Sequence, residues 1–292
     1  MRSLYRSGEQ RERVLAWCRG RLASWSTPHR VETIDTNLGP TSLVTAGEGD
    51  TVVYLPGTNF NAATGLGFLD ELAARARVVV ADLPGQPGLS ADTRPSDELV
   101  GYAAWVTAVL RHVRRELGVR RVVLAGHSRG AAVALTAPPD LVDALVLLSP
   151  GGLAGVRPTV PMLRATLAWL LRPAHGGSQR LVDLMTGPGA TTDPHLVEWL
   201  TLVVEACRTT GAPGPLPRTV TARWARTPRV VMVGEHDCFF APGRTEVAAG
   251  TRLGVLTTVT PGAGHLLPDE RPGLVAERVV RAGTRTDPSA DG

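Results

Sequence analysis

The sequence contains the three side chains that together make a reactive serine: a serine in a turn of small residues, a carboxylate and a histidine. The serine, Ser128, is the centre of Gly-His-Ser-Arg-Gly at residues 126–130. A serine hydroxyl is a weak nucleophile until a base accepts its proton, and the base needs a carboxylate to orient it. Asp237 and then His265 follow along the chain. These residues predict acyl transfer through a covalent serine intermediate.

The residues around Ser128 indicate how it is positioned. The pentapeptide alone is a weak signal, but the predicted strand at 121–125 runs directly into it and small residues 131–135 open a helix after it. A strained strand-to-helix turn needs neighbours without a Cβ, which Gly126 and Gly130 supply. We therefore predict that Ser128 lies at the edge of a sheet, at a helix N-terminus that favours developing negative charge.

Short apolar runs alternating with helical patterns predict a mostly parallel sheet. Asp237 and His265 each follow such a run, so both should reach the sheet edge that carries Ser128. The clearest helix spans 96–117, with Ser96 as its N-cap. The predicted strands are 51–55, 77–82, 120–126, 144–149, 229–234 and 255–260, preceded by a helix at 9–25 and an antiparallel pair at 31–35 and 41–45.

The order nucleophile, acid, histidine resembles the α/β-hydrolase superfamily over residues 31–281, and most of all its small bacterial carboxylesterases. The resemblance implies an α/β-hydrolase fold, with a mostly parallel sheet of about eight strands flanked by helices. It also implies esterase activity without a metal or other cofactor, and oxyanion donors in the backbone N–H groups of Thr58 and Arg129. Residues 82–90 resemble a structural turn of the family. Pro56 departs from the family's usual histidine, which leaves open what orders the Thr58 loop.

The strand–helix alternation stops between residues 149 and 229, where we predict an inserted helical cap at 151–228. The core then comprises 1–150 and 229–283, and 284–292 is a disordered tail. Helices are expected at 161–172, 178–186 and 194–209. We expect a small or medium apolar substrate in a pocket lined by Asn59, Phe60, Trp169, Trp199, Phe239 and Leu266.

Several assignments have alternatives. His236 could replace His265 as the base, and Glu235 could replace Asp237 as the acid. His127 adjoins Ser128, but alternation along the strand should point its ring away, which favours a structural or pocket-lining role. The same triad would also serve a thioesterase or an acyltransferase or cyclase that releases a biosynthetic product. A non-catalytic ligand-binding protein on the same scaffold is the alternative outside enzymes.

Composition excludes other classes of function. All 31 basic residues among the 292 are arginine, which excludes a Schiff-base or P-loop lysine. The arginines are spread along the chain, so the net charge of +4 predicts a solvated surface and no nucleic-acid partner. Three separated cysteines, an interrupted N-terminal apolar segment and short apolar runs predict a cytoplasmic protein without membrane insertion. The oligomeric state stays open.

Overall fold

The computed structural model describes residues 3–171 and 175–284, and eight strands within them form one sheet. The strands are β1 (His29–Thr36), β2 (Gly39–Ala46), β3 (Thr51–Leu55), β4 (Arg77–Ala81), β5 (Val122–His127), β6 (Ala144–Leu148), β7 (Arg229–Gly234) and β8 (Thr257–Thr260). Their order in the sheet is β1-β2-β4-β3-β5-β6-β7-β8. β2 is antiparallel to β1 and β4, and the other neighbouring pairs are parallel. The predicted fold class is confirmed.

Helices cover both faces of the sheet. They are α1 (Gly8–Ala23), α2 (Leu66–Ala73), α3 (Glu98–Glu116), α4 (Arg129–Thr136), α5 (Val160–Leu171), α6 (His175–Met185), α7 (His195–Ala206), α8 (Arg218–Ala222), α9 (Pro242–Leu253), α10 (Leu267–Glu270) and α11 (Pro272–Gly283). Val52 and Tyr54 of β3 pack in the apolar core shared with α1, α2 and α11. Val53 and Leu55 pack in the core shared with α3, α4 and α9. Alternate side chains therefore bury both faces, which explains the continuous apolar runs in the sequence.

Several predicted boundaries differ from the structure by one to three residues, and two of the differences have clear local reasons. The N-cap of helix α3 lies one residue later than expected, because the side chain of Asp97, not Ser96, accepts the Val100 N–H at 3.0 Å and caps the helix. Strand β8 begins at Thr257, because α9 ends through a left-handed turn at Gly254. The residues between that turn and Thr257 bring the chain back to the sheet.

The chain between β6 and β7 forms α5, α6, α7 and α8, and we call residues 151–228 the cap segment. Its independence from the core stays a prediction. Helix α1, which the sequence placed with the core, packs against the cap segment as well: the rings of Trp17 and Trp199 lie 4.6 Å apart. Tyr5 also forms a β-bridge with Cys207. Of the predicted tail, 284–292, all but Thr284 lies outside the described residues.

Candidate active site

Ser128 occupies the turn between β5 and α4, as the sequence predicts. Its backbone is left-handed, with φ +52° and ψ −111°, a conformation that side-chain-bearing residues rarely adopt. A Cβ on Gly130 would collide with the Leu55 carbonyl, and one on Gly126 would collide with the Gly130 carbonyl. Both glycines are therefore required for β3, β5 and α4 to approach closely enough to form this turn.

The structure brings Ser128, His265 and Asp237 together. His265 Nε2 lies 3.2 Å from Ser128 Oγ, and His265 Nδ1 lies 2.9 Å from Asp237 Oδ2. Asp237 follows β7 and His265 follows β8, so all three residues lie at the carboxyl edge of parallel strands. All three are buried. This geometry can pass a proton from the hydroxyl to the imidazole.

The environment of Asp237 keeps its carboxylate charged. Burial alone would raise the pKa of Asp237, but the neighbouring His265 and the hydrogen bonds to the carboxylate hold it below its ordinary value. The backbone N–H groups of Phe239 and Phe240 both donate to Oδ1 at 2.8 Å. The ionised Oδ2 can then accept the Nδ1–H of His265, which leaves Nε2 free to accept the Ser128 proton.

The loop that carries His265 is held on two sides. The backbone N–H of His265 donates to the Met185 carbonyl of α6 at 2.7 Å. The Glu270 carboxylate accepts the N–H groups of Gly264, at 3.0 Å, and Gly187, at 2.7 Å. These hydrogen bonds join the cap segment to the loop that carries His265, and they therefore help to fix the position of its imidazole.

His127 also supports this loop. Its Nε2–H donates to the His265 carbonyl at 2.8 Å, and its ring lines the cavity above Ser128. Burial and the neighbouring His265 lower the pKa of His127 to about 3, so this ring is neutral at physiological pH. It thus has both of the roles that the sequence analysis favoured over that of the base.

The alternative acid and base lie outside this group. The side chains of His236 and Glu235 are about half exposed and face each other at 3.7 Å. Glu235 also accepts the Gly262 N–H at 2.9 Å. Within residues 3–171 and 175–284, neither side chain hydrogen-bonds to Ser128 or His265.

The loop after β3 carries the predicted oxyanion donor Thr58, and side chains that the sequence analysis missed order it. Asn59 has a left-handed φ of +64°, and its N–H donates to Gln86 Oε1 at 3.0 Å. The Arg129 Nε–H donates to Thr58 Oγ1 at 3.3 Å, and the same guanidinium binds Glu98 at 3.0 Å. In the described part of the chain, no protein acceptor binds the N–H of Thr58 or Arg129. Gln86 and the Arg129 side chain therefore order the loop in which Pro56 replaces the family's usual histidine.

A cavity of about 320 Å³ lies above Ser128. Four of the six predicted pocket residues line it: Asn59, Phe60, Trp169 and Phe239. Helices α5, α6 and α7 add further apolar residues to the lining, namely Met162, Leu163, Leu181, Met185 and Leu200. Apart from the two histidines, the side chains lining this cavity are not ionisable, which suits a neutral apolar ligand.

The structure corrects the other two pocket predictions. Trp199 is fully buried, and its indole N–H donates to the Asn59 carbonyl at 2.7 Å, so it supports the loop that carries Thr58 and Asn59. Leu266 is also fully buried, in the apolar core beside α11. Both side chains therefore face the core and not the cavity.

Comparison with known proteins assigns the family. Residues 52–278 match the alpha/beta hydrolase family model. The chain belongs to the alpha/beta hydrolase family. This hydrolase is 23% identical over 273 residues to carboxylesterase YbfK of Bacillus subtilis, covering 89% of each chain. The solved YbfK structure superimposes with a TM-score of 0.76 at 19% identity, covering 93% of this chain and 97% of that one.

Two further similarities bear on the family. The naproxen esterase (carboxylesterase NP) of Bacillus subtilis superimposes with a TM-score of 0.74 at 21% identity, covering 94% of this hydrolase and 97% of that chain. Uncharacterized protein Rv2715 of Mycobacterium tuberculosis is 34% identical over 110 residues. That match spans 37% of this hydrolase and 31% of Rv2715.

Proposed function

We propose that this alpha/beta hydrolase cleaves carboxylic esters of small to medium apolar substrates through an acyl-enzyme on Ser128. The observation that carries the proposal is the buried series Ser128–His265–Asp237, joined at 3.2 and 2.9 Å. The similarity to two bacterial carboxylesterases supports the reaction class.

In the proposed reaction, His265 Nε2 takes the Ser128 proton as Oγ attacks the ester carbonyl carbon. The N–H groups of Thr58 and Arg129 stabilise the negative carbonyl oxygen. The tetrahedral intermediate expels the alcohol, which receives the proton from His265. Water then attacks the acyl-enzyme, with His265 as base again; the bond between the acyl carbon and Oγ breaks, His265 returns the proton to Ser128, and the carboxylic acid leaves. The chain's own residues perform every step.

Two experiments test this proposal. A fluorophosphonate probe should label Ser128, and p-nitrophenyl esters of increasing acyl length should be hydrolysed. Labelling without ester hydrolysis would point to a thioesterase or an acyltransferase, which thioester substrates and added amine or alcohol acceptors would identify. Absence of labelling would indicate a binding protein.

The cysteines Cys18, Cys207 and Cys238 are unpaired, which supports our proposal that the protein acts in a reducing compartment such as the cytoplasm.

We expect the cap segment to determine which acyl length is preferred, and Met162→Ala to shift that preference to longer chains. Met162 lies on α5 and lines the cavity, so its removal makes room for more of the substrate. Each buried methylene is worth about 0.8 kcal/mol, or roughly fourfold in kcat/KM per carbon. The p-nitrophenyl ester series measures this shift. Leu184→Ala on α6, which does not line the cavity, is the matched control, and an equal profile in both variants would contradict the expectation.

We expect kcat/KM to rise with pH along a limb that reports a single ionisation. Only neutral imidazole at His265 can accept the Ser128 proton, so activity is lost when that ring is protonated. Asp237, with its lowered pKa, stays ionised over this limb, and His127, with a pKa near 3, stays neutral. A plot of log(kcat/KM) against pH should therefore have a slope of about one. His127→Gln should leave the midpoint in place; a slope of about two, or a midpoint moved by His127→Gln, would contradict this account.

A further inference from the structure

Helix α5 is apolar on two opposite faces. Its inner face packs into the cap segment, where the Trp169 indole N–H donates to the Leu200 carbonyl at 2.9 Å. The outer face presents five large apolar side chains that are between 44% and 70% exposed: Val160, Leu163, Leu167, Leu170 and Leu171. At 100° per residue they fall within an arc of about 100°. A large exposed apolar face on a helix whose opposite face is already buried is ordinarily covered, so this outer face is expected to bind a partner.

The net charge of the chain comes from the sequence segment that contains this face. Residues 151–182 contain four arginines and no acidic residue. The other 260 residues carry 27 arginines and 27 acidic residues, so this short stretch accounts for the whole net charge of +4. Arg157, Arg164 and Arg180 are exposed. The partner that fits is therefore apolar and anionic at once.

The outer face also adjoins the candidate active site. Leu163 is half exposed on this face and lines the cavity above Ser128, together with Met162 and Thr166 of the same helix. A partner on the outer face of α5 would thus lie beside the cavity mouth.

We propose that the outer face of α5 binds the surface of an anionic phospholipid bilayer. The helix would lie along the surface, with its leucines at the boundary between headgroups and acyl chains, and with Arg164 of the helix and Arg157 and Arg180 outside it available to lipid phosphates. No helix in residues 3–171 and 175–284 is long and apolar enough to cross a membrane.

Two other partners fit less well. A second copy pairing through a two-fold axis would bring the arginines beside this face against those of its mate, with no acidic residue from 151–182 to offset them. A nucleic acid would match the arginines but would leave the five apolar side chains in water. A bilayer with anionic headgroups satisfies both features.

Co-sedimentation of the full chain with vesicles tests the proposal. We expect binding to vesicles of phosphatidylcholine mixed with phosphatidylglycerol, and weaker binding to phosphatidylcholine alone or at high salt. Leu167→Gln combined with Leu171→Gln should lower the partition coefficient at least about tenfold, because the apolar contact is lost while helix propensity is kept. Arg164→Gln should weaken only the binding to the anionic vesicles. Leu256→Gln, at a side chain that is 87% exposed outside the cap segment, is the matched control and should bind as wild type.

The proposal of membrane binding does not depend on ester hydrolysis, and separate measurements test the two activities. Ser128→Ala should bind vesicles as wild type does. The leucine, Arg164 and Leu256 variants should keep their melting temperature and their hydrolysis of a soluble ester, since none of these side chains lines the cavity. Equal vesicle binding by wild type and the double leucine variant would overturn the proposal. So would a dimer in solution that this variant dissociates, or duplex DNA binding as tight as vesicle binding.

Discussion

Replacing Ser128 by alanine is expected to lower kcat for ester hydrolysis by about 10⁴-fold or more and to leave the protein folded. The substitution removes only Oγ, the atom that lies 3.2 Å from His265 Nε2. The glycines on either side, which allow the turn to form, remain in place. Steady-state kinetics on a p-nitrophenyl ester measures the loss, and circular dichroism and thermal melting check the fold.

Ser149→Ala is the matched control for labelling by a fluorophosphonate. Ser149 is also buried and left-handed, with φ +44°, and it follows β6 as Ser128 follows β5. Its alanine variant should still react with the probe at Ser128, whereas Ser128→Ala should not react at all. Activity of Ser128→Ala within about tenfold of wild type would remove the serine mechanism.

The candidate triad could be predicted because each member depends on local structure. Ser128 is fixed by the strand, turn and helix that adjoin it in sequence, and Asp237 and His265 each follow an apolar strand. Parallel neighbours bring their carboxyl ends to one edge, so residues more than a hundred positions apart meet there without any knowledge of side-chain packing. Strand and helix type followed from the same short-range patterns.

The pocket could be predicted only in part, because periodicity shows which side of a helix faces inward but not what lies there. Trp199 faces inward from α7, yet it meets Trp17 of α1 and the Asn59 carbonyl. Those partners come from segments far away in the sequence. Leu266 likewise follows the histidine into the core. Whether an inward residue meets core or cavity depends on how whole helices are placed, and no pattern within one helix encodes that.

The missed residues that order the Thr58 loop illustrate the same limit. Gln86 lies within the predicted turn at 82–90, and nothing in the turn pattern indicates that its side chain accepts the Asn59 N–H. A signal was present in Pro56: a loop without its usual histidine needs another polar side chain, and a buried glutamine is costly unless it is hydrogen-bonded. The sequence could indicate that some polar side chain orders this loop, but it could not show which of the nearby polar residues does so.

The choice of acid is where the structure adds most to the sequence, and Asp237→Asn against Glu235→Gln tests it. The two carboxylates are two positions apart after β7, but the Asp237 side chain is fully buried and the Glu235 side chain is about half exposed. We expect Asp237→Asn to lower kcat by about 10³- to 10⁴-fold and Glu235→Gln to stay within a few-fold of wild type. Glu235 cannot compensate, since it binds the Gly262 N–H on the outside of the loop.

The expected loss at Asp237 comes from the tautomer of His265. A carboxylate accepts the Nδ1–H and so leaves Nε2 unprotonated toward Ser128, at 3.2 Å. An asparagine whose oxygen still accepts the Phe239 and Phe240 N–H groups would present its NH₂ group to Nδ1 of His265. Nδ1 would then accept a hydrogen bond, so the ring proton would lie on Nε2. A protonated Nε2 cannot accept the proton of Ser128. Melting temperatures and kcat of both variants on one ester, with probe labelling at Ser128, make the comparison. Near-wild-type rates for Asp237→Asn together with a large loss for Glu235→Gln would transfer the orienting role to Glu235.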